Sequence, residues 1–325
     1  MRSLSPGHRA SCQLLWPLAC RLPTHPPSPP SLPSAIGRLL VQTSGQVVLG
    51  LGLATLVSAA QNTIFSIGDV DGVRLAGMLL QAGPLHPGSG AAAPSLVQWG
   101  TGTHAGSAKS PGVLHDIFMR VGGPDGMPGS PVAVTTMLRI RSGHVIGDNL
   151  WLWRADHTGT GTVSYESNRC DHGLLVEGDD VSMYGLAVEH AEKDLTVWSG
   201  ERGRTFFYQS ELPYGVTQAQ FGDQGYAGYR VVDGVQTHDA RGVGVYAFFR
   251  DHNVSVASGI VCPPALESSF IAPLTVFLSG HGGEQSVTCT THRPRPLRPL
   301  TVLHMPLHST HTDHVADPLG CAAAL

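Results

Sequence analysis

Acidic residues stand next to histidines throughout the middle of the chain. These neighbours are Asp156-His157, Asp171-His172, Glu189-His190, His238-Asp239 and Asp251-His252. Because neighbouring side chains on a strand point to opposite faces, one member of each pair on a strand faces outward. If strands stack in parallel rungs, outward acids of successive rungs lie about 5–10 Å apart. Carboxyl pairs at such separations cleave glycosidic bonds, with retention for one rung gap and inversion for two.

The richest group of acids and histidines lies between residues 156 and 190. We predict catalytic residues among Asp156, Asp171, Asp180 and Glu189, and substrate contacts from His157, His172 and His190. Asp179 and Asp180 occupy a corner, where an Asp usually caps its own turn, so a structural role competes there. Glu189 ends the apolar strand GLAVEH, an unusual place for a carboxylate unless the strand faces a groove.

The same stretch carries aromatic side chains, whose faces can stack on sugar rings. We predict further substrate contacts from Trp198, Tyr208, Tyr214, Arg204 and Glu211. Arg204 could hold a uronate or orient a carboxylate; as a plain surface ion pair it would contribute little. Trp151 and Trp153 share one face by parity, and we expect both to pack in the core.

Metal and cofactor motifs are absent from the sequence. A calcium site at Asp179 and Asp180 is an alternative without support from a D-x-D-x-D loop, and we expect no cofactor. The six cysteines form no C-x-x-C pair, which gives no support to a zinc site or a thioredoxin motif. A disulfide between Cys262 and Cys289 and isolated buried thiols both remain open.

A repeated unit should position these side chains. An apolar strand, a Gly or Asp corner, a short strand, a second corner and a longer apolar strand recur at 63–83, 137–155, 174–191 and 229–249. No helix separates the strands, which excludes leucine-rich and ankyrin arrays. The pattern predicts an all-β, single-stranded right-handed parallel β-helix with irregular tails. The alternative is a β-sandwich with hairpins at Asp71-Gly72 and Asp233-Gly234.

Composition bounds the organisation of the chain. Only 14% of residues are charged, the net charge is −4, and no basic stripe favours nucleic acid. We expect a Pro-rich disordered tail at 1–35, an incomplete β-helix domain at 36–289 and an irregular tail at 290–325. The run VVLGLGLATLVSAA is too short and too glycine-rich to span a bilayer.

Several blocks carry a resemblance to a known family. They are QVVLGLGLATLV, DVDGVRLAGMLLQAGP, LWLWRADH, DHGLLVEGDDV, GLAVEHAEKD, RTFFYQSELPY and GYRVVDGVQTHDARGVGVYAFFRDHNV. Over about 46–283 the chain resembles large secreted bacterial and fungal proteins labelled coagulation factor 5/8 type (discoidin) domain protein or adenylyl cyclase. No discoidin module or cyclase core is visible. The family is similar to pectin-lyase-like β-helix proteins, which include polysaccharide lyases and β-1,3-glucanases.

These observations lead to a ranked set of expectations. The first is a glycoside hydrolase that acts on an extracellular or cell-wall polysaccharide by paired carboxylates. The alternatives are a non-catalytic glycan-binding or cell-surface β-helix protein and a polysaccharide lyase. We further expect a secreted monomer whose partner is a polysaccharide, with no nucleic-acid or membrane partner.

Overall fold

The computed structural model describes residues 12–15, 35–58, 62–85, 92–123, 131–158, 161–163, 165 and 167–282. The chain divides into a unit Met1–Arg295 and a unit Pro296–Leu325, and all described residues lie in the first. Most of the predicted tail 1–35, all of the predicted tail 290–325, and Cys289 lie outside the described residues.

Strands dominate the described chain. In order they are β1 (Cys12–Leu15), β2 (Ala35–Ile36), β3 (Leu39–Val41), β4 (Val47–Ser58), β5 (Phe65–Ile67), β6 (Arg74–Gln81), β7 (Ala93–Trp99), β8 (Gly112–Val121), β9 (Val132–Ile140), β10 (Val145–Arg154), β11 (His157–Thr158), β12 (Gly161–Thr162), β13 (Asn168–Val176), β14 (Ser182–Glu189), β15 (Thr196–Trp198), β16 (Gly203–Glu211), β17 (Tyr229–Val231), β18 (His238–Val254), β19 (Ile260–Val261), β20 (Phe270–Ile271) and β21 (Leu274–Gly282). A π-helix spans Gln218–Gly222 and a 3-10 helix spans Pro264–Ser269.

Two parallel sheets contain nearly all of these strands. The larger sheet runs β1-β4-β6-β8-β10-β14-β16-β18-β20, with β2 beside β4 and β21 beside β18, and the smaller runs β19-β17-β15-β13-β9-β7-β5-β3. From β3 to β20, consecutive strands alternate between the two sheets, apart from the small β11–β12 hairpin, and β21 follows β20 in the larger sheet. The prediction of an all-β chain with parallel stacked strands is confirmed. The β-sandwich alternative is wrong, because its paired strands would be antiparallel.

One residue with a left-handed backbone interrupts each of the larger-sheet strands β6, β8, β10, β14, β16 and β18. From β6 to β18 these residues are Gly77, Asp116, Asn149, Gly185, Phe207 and Gly242, with φ between 50° and 68°. The cross-strand register passes over these positions in both partners. Such an extra residue bends the strand and reverses which side chains face inward. Phe206 therefore lies on the outside and Tyr208 in the core, although the two are two residues apart.

The inward side chains stack from strand to strand. One row contains Met78, Ile117, Leu150, Leu186, Tyr208 and Val243, and each of these residues is at most 2% exposed. Burying one large apolar side chain stabilises the fold by about 1.5–3 kcal/mol. The stacked core thus fixes the register, and with it the positions of the outward side chains.

Two cysteines of the described chain differ in their bonding state. Cys262 is disulfide-bonded, whereas Cys170 is a free thiol whose pKa is raised by burial. Across the described ranges, no helix has the length and apolar character needed to cross a membrane.

Candidate functional site

The carboxyl-terminal ends of β10, β14 and β16 lie side by side on the larger sheet. Trp153 is in register with Glu189, and Glu189 with Glu211. Neighbouring parallel strands are about 4.8 Å apart, so these side chains leave the sheet as neighbours. Asp156 follows β10 by two residues. We call Asp156, Glu189 and Glu211 the acidic wall.

Glu189 is the most perturbed carboxyl group of the acidic wall. Its pKa is raised to about 7, mainly by burial and further by the charges of Glu211 and Asp156. The indole Nε1 of Trp151 donates a hydrogen bond to Glu189 Oε2 at 2.8 Å, which opposes that shift. No cation among the described residues holds the carboxylate in its charged form. Near neutral pH, the carboxyl group of Glu189 is therefore divided between its protonated and its ionised form.

Glu211 is held by hydrogen bonds. The Tyr214 hydroxyl donates to Glu211 Oε2, and Gln209 Nε2 donates to Oε1 at 3.3 Å. The side chain is 27% exposed, so solvent reaches it. These two donors hold the Glu211 carboxyl group in one orientation beside Glu189.

His190 lies beneath the wall, between two of its acids. Its Nε2 is 3.6 Å from Asp156 Oδ1 and 3.9 Å from Glu211 Oε2. Burial lowers its pKa to about 4, and the imidazole is neutral at neutral pH. Because Nδ1 faces the carbonyl oxygen of Leu212 at 3.3 Å, Nδ1 carries the proton. Nε2 then faces Asp156 and Glu211.

Asp156 contrasts with Glu189 in its charge state. Burial would raise the pKa of Asp156, but the neighbouring His190 and the hydrogen bond with His157 Nδ1 lower it overall. That bond measures 2.9 Å. The acidic wall therefore holds one ionised carboxylate at Asp156 and one readily protonated carboxyl at Glu189.

An aromatic surface flanks the acids. Trp151 and Trp153 stack with ring centroids 5.7 Å apart, and Trp153 lies 5.3 Å from the ring of His157. Trp151 is 43% exposed. The expectation that both tryptophans pack in the core is wrong, because Leu150 and Leu152 occupy the inward positions of this strand.

Two predicted substrate contacts are buried instead. Trp198 is 0% exposed and Tyr208 1% exposed, and the Tyr208 hydroxyl donates to the Gly228 carbonyl at 2.7 Å. Neither side chain is open to a substrate in this structure, and these predictions are wrong. Trp198 is inward on β15, and the left-handed Phe207 turns Tyr208 inward.

Several predicted residues do not join the acidic wall. Asp171 lies on β13 of the smaller sheet and forms an ion pair with Lys193 Nζ at 2.8 Å. His172, beside it, has Nδ1 2.6 Å from the carbonyl of Asp194 and donates to it. The prediction that Asp171 acts together with Glu189 is wrong, because the two residues belong to different sheets.

The corner acids are neutralised by arginine. Arg202 donates to Asp180 Oδ2 at 2.7 Å and contacts Asp179 Oδ2 at 3.2 Å. The hydrogen bond from Arg202 lowers the pKa of Asp180. Arg204 is exposed at the amino-terminal end of β16, opposite Ser182. Asp180 and Arg204 therefore lie at the strand ends away from Glu189, contrary to the predicted shared site.

In the part of the chain that the structure describes, no group of three or more His, Cys, Asp or Glu side chains could hold a metal ion.

Comparisons with known proteins assign the family. The LAM55 pectate lyase-like domain matches residues 34–211, and the chain belongs to this family. The chain is also 39% identical over 253 residues to an exo-beta-1,3-glucanase of Streptomyces sp. (strain SirexAA-E / ActE), covering 76% of this chain and 40% of that relative. It thus spans about two fifths of the length of the curated relative.

Solved structures agree with this assignment. The structure of sacteLam55A from Streptomyces sp. SirexAA-E has a TM-score of 0.64 and 36% identity, over 76% of this chain and 44% of that one. A variant of sacteLam55A in complex with glucose has a TM-score of 0.65 and 35% identity, over 76% and 43%. The expected pectin-lyase-like, glycoside-hydrolase-like kinship is confirmed.

Proposed function

We propose that this chain is part of a secreted glycoside hydrolase that acts on a β-1,3-glucan, with the acidic wall as its catalytic centre. The observation that carries the proposal is the neighbouring pair Glu189 and Glu211, in register on adjacent strands, with no cation from the described part of the chain paired with Glu189. The relative named as an exo-beta-1,3-glucanase supports the substrate class. We further propose that the two sheets form a monomeric right-handed parallel β-helix spanning 36–289.

Glu189 serves as the general acid. Cleavage of a glycosidic bond requires a proton on the leaving oxygen, and the donor works best with a pKa near the working pH. Glu189, with its pKa raised to about 7, meets that requirement. The hydrogen bond from Trp151 leaves one carboxyl oxygen free of the indole and fixes its direction. Burial among aromatic rings keeps the proton on Glu189 until the leaving group takes it.

The other two acids of the wall supply negative charge. Glu211 and Asp156 both raise the pKa of Glu189, and their charges favour the positive character that develops on the sugar ring. His190 Nε2 lies within 4 Å of both acids. The stacked Trp151 and Trp153 provide apolar faces for the C–H surfaces of a pyranose.

The test is release of reducing sugar from a soluble β-1,3-glucan by the full chain and by Glu189→Gln. We expect the variant to lose about 100- to 10,000-fold in rate, because general acid catalysis contributes that much. Glutamine keeps an oxygen for the Trp151 donor, so the site should stay folded.

The matched control is Asp171→Asn, which changes a carboxylate on the smaller sheet that is paired with Lys193. It should retain the rate of the unmodified chain. Glucan binding without sugar release by the unmodified chain would instead establish the non-catalytic glycan-binding alternative.

A further inference from the structure

A second aromatic surface lies on the larger sheet, on the amino-terminal side of the left-handed bend. Tyr184 and Phe206 stack with centroids 5.1 Å apart and planes 12° from parallel. Phe207 stands beside them with 69% of its surface exposed, and Tyr184 is 42% exposed. We call Tyr184, Phe206 and Phe207 the aromatic platform. Tyr184 and Phe206 precede the left-handed residues of β14 and β16, whereas Glu189 and Glu211 lie at the far ends of the same strands.

Phe207 has an unusual backbone for its residue type. Its φ is 62°, and four of the five equivalent positions from β6 to β18 are Gly or Asn, namely Gly77, Asn149, Gly185 and Gly242. A bulky residue in this region is a genuine outlier and destabilises the fold. An exposed phenyl ring gains little from burial to offset that cost. The strain therefore points to a role for the ring outside folding.

Hydrogen-bonding groups border the aromatic platform in the same cross-strand row. Asp148 is in register with Tyr184, and Arg241 with Phe206. Asp148 is half exposed and lies 2.8 Å from His115 Nδ1, while the Arg241 guanidinium covers the Phe206 ring at 5.8 Å. Tyr184 stacks on the Phe206 ring from one neighbouring strand and Arg241 covers it from the other. The exposed Phe207 ring and the outer edges of the stack are left to meet a pyranose, which presents C–H faces and hydroxyl edges.

The size of the surface argues against a protein partner. Three aromatic side chains, partly exposed, offer on the order of 300 Å² of apolar area. A stable protein interface buries about 800 Å² on each partner. The surface is too small for that but covers one or two sugar rings.

We propose that the aromatic platform is a second saccharide-binding surface, which holds a neutral glucan chain away from the acidic wall. The choice of glucan as the ligand rests on the proposed function, but binding to the platform does not require hydrolysis. Anchoring on an insoluble polymer would raise the local concentration of glucan segments at the acidic wall.

The test is co-sedimentation of the full chain with insoluble β-1,3-glucan particles, together with hydrolysis of a short soluble β-1,3-oligosaccharide. Tyr184→Ala and Phe207→Gly should each weaken particle binding about fivefold or more, as expected for contact aromatics. Hydrolysis of the short oligosaccharide should be unchanged. Glycine accepts the left-handed backbone, so Phe207→Gly should melt at or above the temperature of the unmodified chain.

The matched control is Leu40→Ala, which removes an exposed apolar side chain from the smaller sheet and should bind the particles normally. Unchanged particle binding by both platform variants would overturn the proposal. If the platform variants lose self-association in sedimentation velocity but still bind the glucan, the proposal is overturned, and the surface instead contacts a second copy of the chain. Since binding is scored without turnover, failure of the hydrolase proposal would leave this measurement interpretable.

Discussion

Two groups of acids in this chain have opposite environments. At the corner, Asp180 and Asp179 meet Arg202, and the pKa of Asp180 falls. At the ends of β14 and β16, Glu189 meets Glu211, no arginine or lysine of the described residues pairs with Glu189, and the pKa of Glu189 rises to about 7. The side chain that faces each acid, rather than the residue type of the acid, therefore decides whether its pKa is lowered or raised.

The largest expected effect concerns stability against pH. Glu189 has a folded pKa of about 7, above its ordinary 4.5, so the folded state binds the proton more tightly. Stability therefore falls as pH rises from about 4.5 to 7. Glu189→Gln should remove this loss and be the more stable protein at pH 8, by about 3 kcal/mol at most. Urea unfolding at pH 4.5 and pH 8 measures the difference.

His190 changes stability in the opposite direction. Its pKa is lowered to about 4 by burial, so its contribution to stability is lost as pH falls through the range from about 6.5 to 4. The unmodified chain and Glu189→Gln both contain His190, so its contribution cancels when their free energies of unfolding are compared. Equal stability of the two proteins at pH 8 would show that Glu189 is not perturbed.

The next effect is a shift of the pH–activity profile, whose direction should differ between variants of Glu211 and of Trp151. The charge of Glu211 raises the pKa of Glu189, and the Trp151 hydrogen bond lowers it. Glu211→Gln should move the alkaline limb of the activity profile to lower pH. Trp151→Phe keeps an aromatic ring but removes the donor, and it should move the limb to higher pH. Each shift should be about one pH unit or less.

A profile of kcat/KM against pH measures both shifts. Gln209→Leu is a third point of comparison, because Gln209 also lowers the pKa of Glu189 and its loss should act in the direction of Trp151→Phe. Movement of the Glu211 and Trp151 variants in the same direction would refute Glu189 as the titrating acid.

The smallest effect belongs to the corner. Asp180→Asn removes an acid paired with Arg202, and exposed pairs contribute little to stability. We expect normal hydrolysis and a melting temperature lower by a few degrees. Because the pKa of Asp180 is lowered, its stabilising contribution is lost only as pH falls below about 3.8. A hydrolysis rate reduced as much as in Glu189→Gln would erase the distinction between the two groups of acids.

The sequence predicted the architecture better than the orientation of side chains. Repeats of strand and corner, with no helix between them, required stacked parallel strands. Parity along a strand, however, holds only up to a left-handed residue. Across Phe207 the outward and inward positions exchange, so Tyr208 is buried although Phe206 is not. A phenylalanine gives no sign of such a backbone, whereas Gly185 or Gly242 would.

The composition of the acidic wall was partly predictable. The sequence predicts a functional role for Glu189, because a carboxylate at the end of an apolar strand is unusual unless that strand faces a groove. Its pairing with Glu211 depends on the register between β14 and β16, which one sequence does not specify. In the all-apolar run LWLW, alternation alone does not tell whether the Leu or the Trp side chains face inward. Trp151 and Trp153 were therefore assigned to the wrong side.

The row that contains Trp153, Glu189 and Glu211 has one member from each successive strand of the larger sheet. Its spacing therefore changes only in whole steps of about 4.8 Å. Duplicating the segment that carries one strand of each sheet would insert a new member into the row without disturbing the others. The row of outward side chains could be lengthened in this way, and the outward residue of the added strand would set the chemistry of the new step.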